Sequence, residues 1–208
     1  MGAGTGINDR GQVVGIAKTA SEEYRAFLFE HGVMKDLGTF PGGFSSGAYG
    51  INNRGQIVGD SGTSSGAGHA FLYEDGAMYE LGAIQGSIGS QAYGINNRGQ
   101  AVGSAYTIAL HAYLFQDGVA VDLGNLPGDY YQAAATGIND RGQVVGSVNN
   151  GRRGQQRAFL YQNGAMVDLG TFGGSITVAT GINERGEVVG WAWNASNVSH
   201  AFLHTPSH

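Results

Sequence analysis

The string Gly-Ile-Asn-x-Arg-Gly occurs five times, beginning at Gly6, Gly50, Gly94, Gly137 and Gly181, at intervals of 44, 44, 43 and 44 residues. No other feature constrains the fold as tightly, because a fixed period of this length means that one supersecondary unit is stacked on itself. Two further strings keep the same period. His/Arg-Ala-Phe/Tyr-Leu begins at Arg25, His69, His111, Arg157 and His200, and Asp/Glu-Leu-Gly at Asp36, Glu80, Asp122 and Asp168. The last string has no fifth copy, so the array reads as five units with a shortened final one.

Residues 48 to 82 show what one unit should fold into. Ala48-Tyr-Gly-Ile-Asn52 reads as a short strand of small residues, and Asn53-Arg54-Gly55 as a three-residue hairpin loop with glycine at the left-handed position. Gln56 to Asp60 is the second strand, Ser61 to Gly68 a polar loop, and His69 to Glu74 the third strand. Asp75-Gly76 is a two-residue turn signal, matched in the other copies by His31-Gly32, Asp117-Gly118 and Asn163-Gly164. Ala77 to Gly82 is the fourth strand. Four short antiparallel strands per ~44 residues correspond to one blade of a β-propeller, whereas solenoid rungs repeat every 20–30 residues. No helical period or capping box interrupts the pattern. The expected fold is therefore all-β: a five-bladed β-propeller of four-stranded repeats forming one domain over 1–208, with blades at 3–47, 48–91, 92–134, 135–178 and 179–208. Each blade should run outward from the small Gly-Ile-Asn strand beside the central axis, and the last should be three-stranded.

These motifs resemble the bacterial HAF repeat, named for its His-Ala-Phe string and found in arrays in proteins often described as extracellular. The resemblance covers essentially the whole chain, with Gly-Ile-Asn-x-Arg-Gly and Asp-Leu-Gly as its more specific parts. Arg25 and Arg157 stand where the name has histidine, and Tyr113 where it has phenylalanine. The resemblance implies a secreted or cell-surface repeat protein and implies no particular activity.

Composition narrows the chemistry. The chain holds 38 glycines in 208 residues, no cysteine, 13% charged residues and a net charge of −5. An acidic balance argues against a phosphate-backbone binder, so no nucleic-acid partner is expected. The missing cysteines exclude a disulfide scaffold, thiolate metal sites and a cysteine nucleophile. No apolar run approaches the ~18 residues of a membrane helix, and Met1-Gly-Ala-Gly-Thr-Gly has neither the basic start nor the apolar core of a signal peptide. No glycine-rich string opens a helix that could cradle phosphates, so no nucleotide cofactor is expected.

The recurring histidines read as structural. Each first residue of the His/Arg-Ala-Phe string lies 11 positions before an acid, giving the pairs Arg25–Asp36, His69–Glu80, His111–Asp122 and Arg157–Asp168. Across a two-residue turn Phe71 falls opposite Glu80, which puts His69 on the acid's face and diagonal to it. Arginine in place of histidine argues against a metal, and none is expected. His200 has no acid at the matching distance. The hairpin arginines Arg10, Arg54, Arg98, Arg141 and Arg185 would gather on one face and could hold an anion, although packing on the neighbouring repeat is the simpler role. The motif asparagines Asn8, Asn52, Asn96, Asn139 and Asn183 should satisfy turn backbone groups.

Function is expected where the copies differ. The loops between the second and third strands, and those leading to the next repeat, vary and should share one face. The candidate ligand-binding residues are Phe44, Asp60, Tyr106, Tyr130, Tyr131, Trp191 and Trp193, which hold no repeat role and fall on or near these loops. Rigid aromatics beside Asn, Asp and Gly suit stacking on a sugar or peptide. The leading reading is a non-catalytic module that binds a carbohydrate or peptide. A second is an interaction scaffold or oligomer using the edge strand His200-Ala-Phe-Leu203 for strand addition. A third is a polysaccharide-active enzyme using Asp60 or Asp129.

Overall fold

The computed structural model describes residues 2–82, 86–128, 130–151 and 154–206, and these are strands, turns and loops with no helix. The first repeat supplies β1 (Gly2–Ile7), β2 (Val13–Lys18), β3 (Tyr24–Glu30) and β4 (Val33–Asp36). The second supplies β5 (Ser46–Ile51), β6 (Ile57–Gly62), β7 (Gly68–Glu74) and β8 (Ala77–Glu80). The third supplies β9 (Gly89–Ile95), β10 (Ala101–Tyr106), β11 (Leu110–Gln116) and β12 (Val119–Asp122). The fourth supplies β13 (Gln132–Ile138), β14 (Val144–Asn149), β15 (Gln156–Gln162) and β16 (Ala165–Asp168). The fifth has β17 (Gly173–Ile182), β18 (Val188–Asn194) and β19 (Ser199–His204), the three strands expected of a shortened unit.

The strand order in each sheet follows the chain: β1-β2-β3-β4, β5-β6-β7-β8 and β9-β10-β11-β12. The fourth and fifth repeats join in one seven-stranded sheet through a parallel contact of Gln156 with Ile176. Local sequence explains the hairpins. Both central residues of each third-to-fourth-strand turn have positive φ, as in Asp75 (52°) and Gly76 (84°), which is the I′ geometry that matches strand twist. That turn sets the register, placing Phe71 opposite Glu80 and Phe159 opposite Asp168.

Contacts divide the chain into two compact units, Met1–Ala101 with Phe115–Ala120, and Val102–Leu114 with Val121–His208. In the first unit Val14, Ala26, Leu28 and Leu37 of the first repeat pack against Ala48, Ile57, Phe71 and Tyr73 of the second. In the second unit Val102, Ala112, Leu123 and Leu126 of the third repeat meet Ala135, Val144 and Phe159 of the fourth. There too, Val145, Ala158 and Leu160 of the fourth meet Ala179, Val188 and Phe202 of the fifth. The core is thus a series of seams between successive repeats.

The motif asparagine is the polar counterpart of those seams. Asn52 accepts from the Arg54 and Gln56 amides at 3.0 Å each, donates to Gln56 Oε1 at 2.6 Å, and donates to the Asn96 carbonyl of the next repeat at 2.9 Å. Asn8 repeats the pattern onto the Asn52 carbonyl, and Asn139 onto that of Asn183. The expected turn role holds, and the same side chain also ties one repeat to the next.

Candidate functional site

In each sheet the meander places the second-to-third-strand loop and the exit of the fourth strand at one end, so the variable segments of a repeat share that end. In the first unit Phe44 projects from the segment entering β5 and is 76% exposed, while its carbonyl accepts from the Arg25 guanidinium. Arg25 also pairs with Glu23 at 2.8 Å, so the expected Arg25–Asp36 pair does not form. Nor does Arg157–Asp168: the Arg157 Nε donates to the Tyr130 hydroxyl at 3.2 Å. Asp36 and Asp168 instead accept from the Gly38 and Gly170 amides at 2.8 Å, closing the turn after their strands. The guanidinium reaches past the acid diagonal to it, toward loop groups that the shorter imidazole cannot touch. The histidine pairs do form, His69 with Glu80 and His111 with Asp122, the latter at 2.9 Å. His200 is not left alone, since its Nε2 meets Asn194 Nδ2 at 3.2 Å.

Asp60 belongs to a half-buried polar cluster in β5, β6 and β9. Tyr49 donates its hydroxyl to Asp60 Oδ1 at 2.6 Å, Gln91 also hydrogen-bonds the carboxylate, and Tyr93 donates to Gln91 Oε1 at 2.6 Å. The two tyrosine rings lie 5.6 Å apart. Burial holds the Asp60 carboxyl above the usual carboxylate range, and burial followed by the bond to Asp60 pushes the Tyr49 hydroxyl up. Sequence reading singled out Asp60 but missed its partners. The available signal was that Tyr49 and Tyr93 replace the threonines Thr5, Thr136 and Thr180 in one repeat column.

A carboxyl whose folded-state pKa lies above its unfolded value is costly to ionise in the fold. That cost is present above the folded pKa and vanishes as pH falls below the unfolded value near ~4. Asp60→Asn keeps an acceptor for Tyr49 and removes the charge. We expect the variant to be at least as stable as the parent at neutral pH, with the difference closing in acid. Urea unfolding at both pH values checks this, and a variant less stable at neutral pH would refute it.

In the second unit Tyr130 and Tyr131 divide. Tyr130 packs against the Val102–Phe159 core and accepts from Arg157, so it serves the seam as much as the surface. Tyr131 is exposed, bonds the Asn149 carbonyl through its amide, and lies over Gly151. Tyr106 ends β10 exposed. Trp191 and Trp193 alternate on β18 and therefore share one face of that strand. Trp191 is exposed and Trp193 half-buried. Asp129 lies outside the described residues. The structure thus gathers Tyr130, Tyr131 and Arg157 at one place and the two tryptophans at another, with Phe44 and Asp60 in the other unit.

The hairpin arginines lie at the opposite end of their repeats, and their charge is partly spent. Arg185 bonds Glu187 at 2.7 Å, and Arg54 stands 3.9 Å from Glu74. Arg10 and Arg141 lean over Gly55 and Gly186 in the turn of the following repeat. An open groove of about 520 Å³ is lined there by Arg141, Gln143, Arg185, Glu187, Thr205 and Pro206. Among the described residues no group of three or more His, Asp or Glu side chains is placed to hold a metal ion.

No protein-family model and no curated protein matches the chain. Solved structures do. TolB from Acinetobacter baumannii superposes with a TM-score of 0.60 at 12% identity, over 93% of this chain and 50% of TolB. The β-propeller domain of the Trilobed protease from Pyrococcus furiosus, described as having an open velcro topology, gives 0.60 at 13% identity, over 96% of this chain and 65% of that one. A triple arginine-to-alanine variant of AofleA from Arthrobotrys oligospora gives 0.54 at 12% identity, over 98% and 68%. The chain therefore spans half of TolB and about two thirds of the other two. At these identities the likeness concerns the fold alone, and that fold is all-β and of the β-propeller kind.

Proposed function

We propose that the chain is a non-catalytic binding module, a β-propeller array of five repeats that takes a carbohydrate or peptide on its variable loops. One observation carries the reading: apolar and aromatic side chains that no repeat column requires stand at least partly in solvent on these loops or on the strands beside them, among them Phe44, Tyr106, Ile108, Tyr131 and Trp191. Exposed aromatics on a rigid strand scaffold present large contact area at small entropic cost. The chemically capable groups are otherwise engaged, Asp60 by Tyr49 and Gln91, and His69 and His111 by their own hairpins. That disfavours the enzymatic alternative through Asp60. A cell-surface or extracellular setting, implied by the HAF-repeat resemblance, suits such a module.

A glycan and peptide array should return a ligand class for the parent chain. Phe44→Ala should then weaken binding roughly tenfold, or ~1.4 kcal/mol, with unfolding little changed because Phe44 is 76% exposed. An array without hits, or full affinity in Trp191→Ala and Phe44→Ala alike, would end the proposal.

A further inference from the structure

Each seam within a unit joins the same two surfaces. The leading repeat offers a second-strand valine with a third-strand alanine and leucine: Val14, Ala26 and Leu28, or Val145, Ala158 and Leu160. The following repeat offers a first-strand alanine and isoleucine, the first residue of its second strand, and the motif phenylalanine. These are Ala48, Ile51, Ile57 and Phe71 in one seam, and Ala179, Ile182, Val188 and Phe202 in another.

Three hydrogen bonds donated by the leading repeat recur at the seams, and in the first of these seams Asn53 Nδ2 also donates back to Asp9 Oδ2 at 2.6 Å. Thr5 Oγ1 donates to the Ala48 carbonyl at 2.6 Å, Asn8 Nδ2 to the Asn52 carbonyl at 2.9 Å, and the Asp9 amide to Asn53 Oδ1 at 2.9 Å. Thr136, Asn139 and Asp140 repeat them onto Ala179, Asn183 and Glu184 at 2.9, 3.0 and 3.0 Å.

The fifth repeat carries the leading surface with its apolar columns exposed. Leu203 is 61% exposed and Val189 49%, where their counterparts Leu160 and Val145 are at 5% and 0%. Ala201 is exposed where Ala26, Ala70, Ala112 and Ala158 are fully buried. Its donors Thr180 Oγ1 and Asn183 Nδ2 bond Val189 and Glu187 of their own repeat, as Thr5 and Asn8 bond Val14 and Gln12, but among the described residues they lack the second, cross-seam acceptor that Thr5 and Asn8 also have. The first repeat carries the following surface, with Phe27 buried and Val13 half-buried but the isoleucine column bare. Ile7 is 69% exposed, and Phe29 and Met34 are exposed where Tyr73 is buried and Met78 half-buried. The space over Gly11 is empty, whereas the matching space over Gly55 and Gly186 holds the arginine of the preceding repeat.

We propose that copies of this chain associate head to tail, the fifth repeat of one against the first repeat of the next. The occupant is a second copy because each of these surfaces is one half of a seam that the chain already builds, in apolar columns, hydrogen-bond donors and arginine placement. In the intermolecular seam Thr180, Asn183 and the Glu184 amide face the Gly4 and Asn8 carbonyls and the Asp9 carboxylate. Arg185 then exchanges Glu187 for the turn at Gly11. Edge pairing of β19 with another β19 would be two-fold and self-limiting, and would leave Val189 and Ile7 uncovered. The head-to-tail seam is heterologous, so each copy keeps one free end of each kind.

Sedimentation velocity across a wide concentration range tests the proposal. The parent chain should show a mean mass that climbs above the 21.6 kDa of one copy and does not stop at two. Ile7→Glu and Leu203→Glu each block one end, so each alone should lose association. An equimolar mixture of the two should form a one-to-one dimer through the remaining good ends, and the double variant should stay at one copy. A parent chain that remains a single copy throughout overturns the proposal, whether its end surfaces stay bare or are covered within the chain. So does an Ile7→Glu variant that still dimerises, since that outcome assigns the contact to the β19 edge.

Discussion

Gly59→Ala should destabilise the protein by about 3 kcal/mol, the upper range for overpacking, although alanine is ordinarily the better strand residue by ~0.5–1 kcal/mol. Gly59 sits in the middle of β6 with an ordinary strand conformation, so backbone freedom is not the reason for it. A Cβ there would lie 1.9 Å from the Gly47 carbonyl oxygen of the adjacent strand. The same collision recurs at Gly15 with Ala3, Gly146 with Ala134 and Gly190 with Val178, each at 2.0 Å. At those three positions the ring of the motif phenylalanine, Phe27, Phe159 or Phe202, closes the other side at 2.8 Å. The glycine of Val-Val-Gly is therefore the floor on which the phenylalanine of His-Ala-Phe rests, with the first strand pressed against its edge. Because the obstacle is backbone, no rotamer change relieves it, and the β5–β6 ladder must part. For a chain of this size the loss corresponds to a melting point lower by roughly 6–12 °C. Thermal or urea unfolding of Gly59→Ala beside Gly11→Ala decides it. Gly11 has open space around it and a positive φ, so it carries backbone strain without the collision. If Gly59→Ala is the milder of the two, the packing argument fails.

What could be read from the sequence was whatever is local. The turn pairs Asp75-Gly76 and Asn163-Gly164 set two-residue hairpins, those hairpins put Phe71 opposite Glu80, and the histidine–acid contacts follow. Arg25 and Arg157 escaped the same rule because a long side chain chooses among acceptors that only tertiary structure supplies, here the Phe44 carbonyl with Glu23, and the Tyr130 hydroxyl. The Asp60 cluster was half legible. Asp60 stood out as an acid in a column of Ile16, Ser104, Ser147 and Trp191, but its partners come from two other strands and are far apart in sequence. Tyr130 looked like its neighbour Tyr131, and only the seam between two repeats separates a core-packed ring from an exposed one. Ile7 and Leu203 occupy ordinary repeat columns, so nothing in their own segments marks them as bare. Their exposure depends on what covers the first and last repeats, which a repeating pattern does not encode.

The second large effect separates burial from motif. Asn52→Leu should cost about 3 kcal/mol or more, because the substitution strips partners from several groups that water cannot reach. Removing the side chain takes the acceptor from the Arg54 and Gln56 amides and the donor from Gln56 Oε1 and the Asn96 carbonyl. Each buried group left without a partner costs ~1–3 kcal/mol. Asn52 is 4% exposed and Gln56 5%, so at least the bonds between them and to Asn96 have no solvent to replace them. The Gln56 amide nitrogen also holds Glu74 Oε1 at 2.7 Å, and its loosening would spread to the end of β7. Asn183 occupies the same motif position and makes the same two turn bonds, accepting from the Arg185 and Glu187 amides at 2.9 and 3.0 Å, but it is exposed and, among the described residues, its Nδ2 bonds only Glu187 of its own repeat. Asn183→Leu should therefore cost well under half as much, since water can take over the freed amides. If the two variants lose equal stability, the asparagine acts only as a turn former and the seam contributes nothing through it. If Asn183→Leu grows costlier as protein concentration rises, while Asn52→Leu does not change, the fifth-repeat asparagine is being covered by another copy. The pair thus measures how much of the motif serves each hairpin and how much serves the joint with the next repeat.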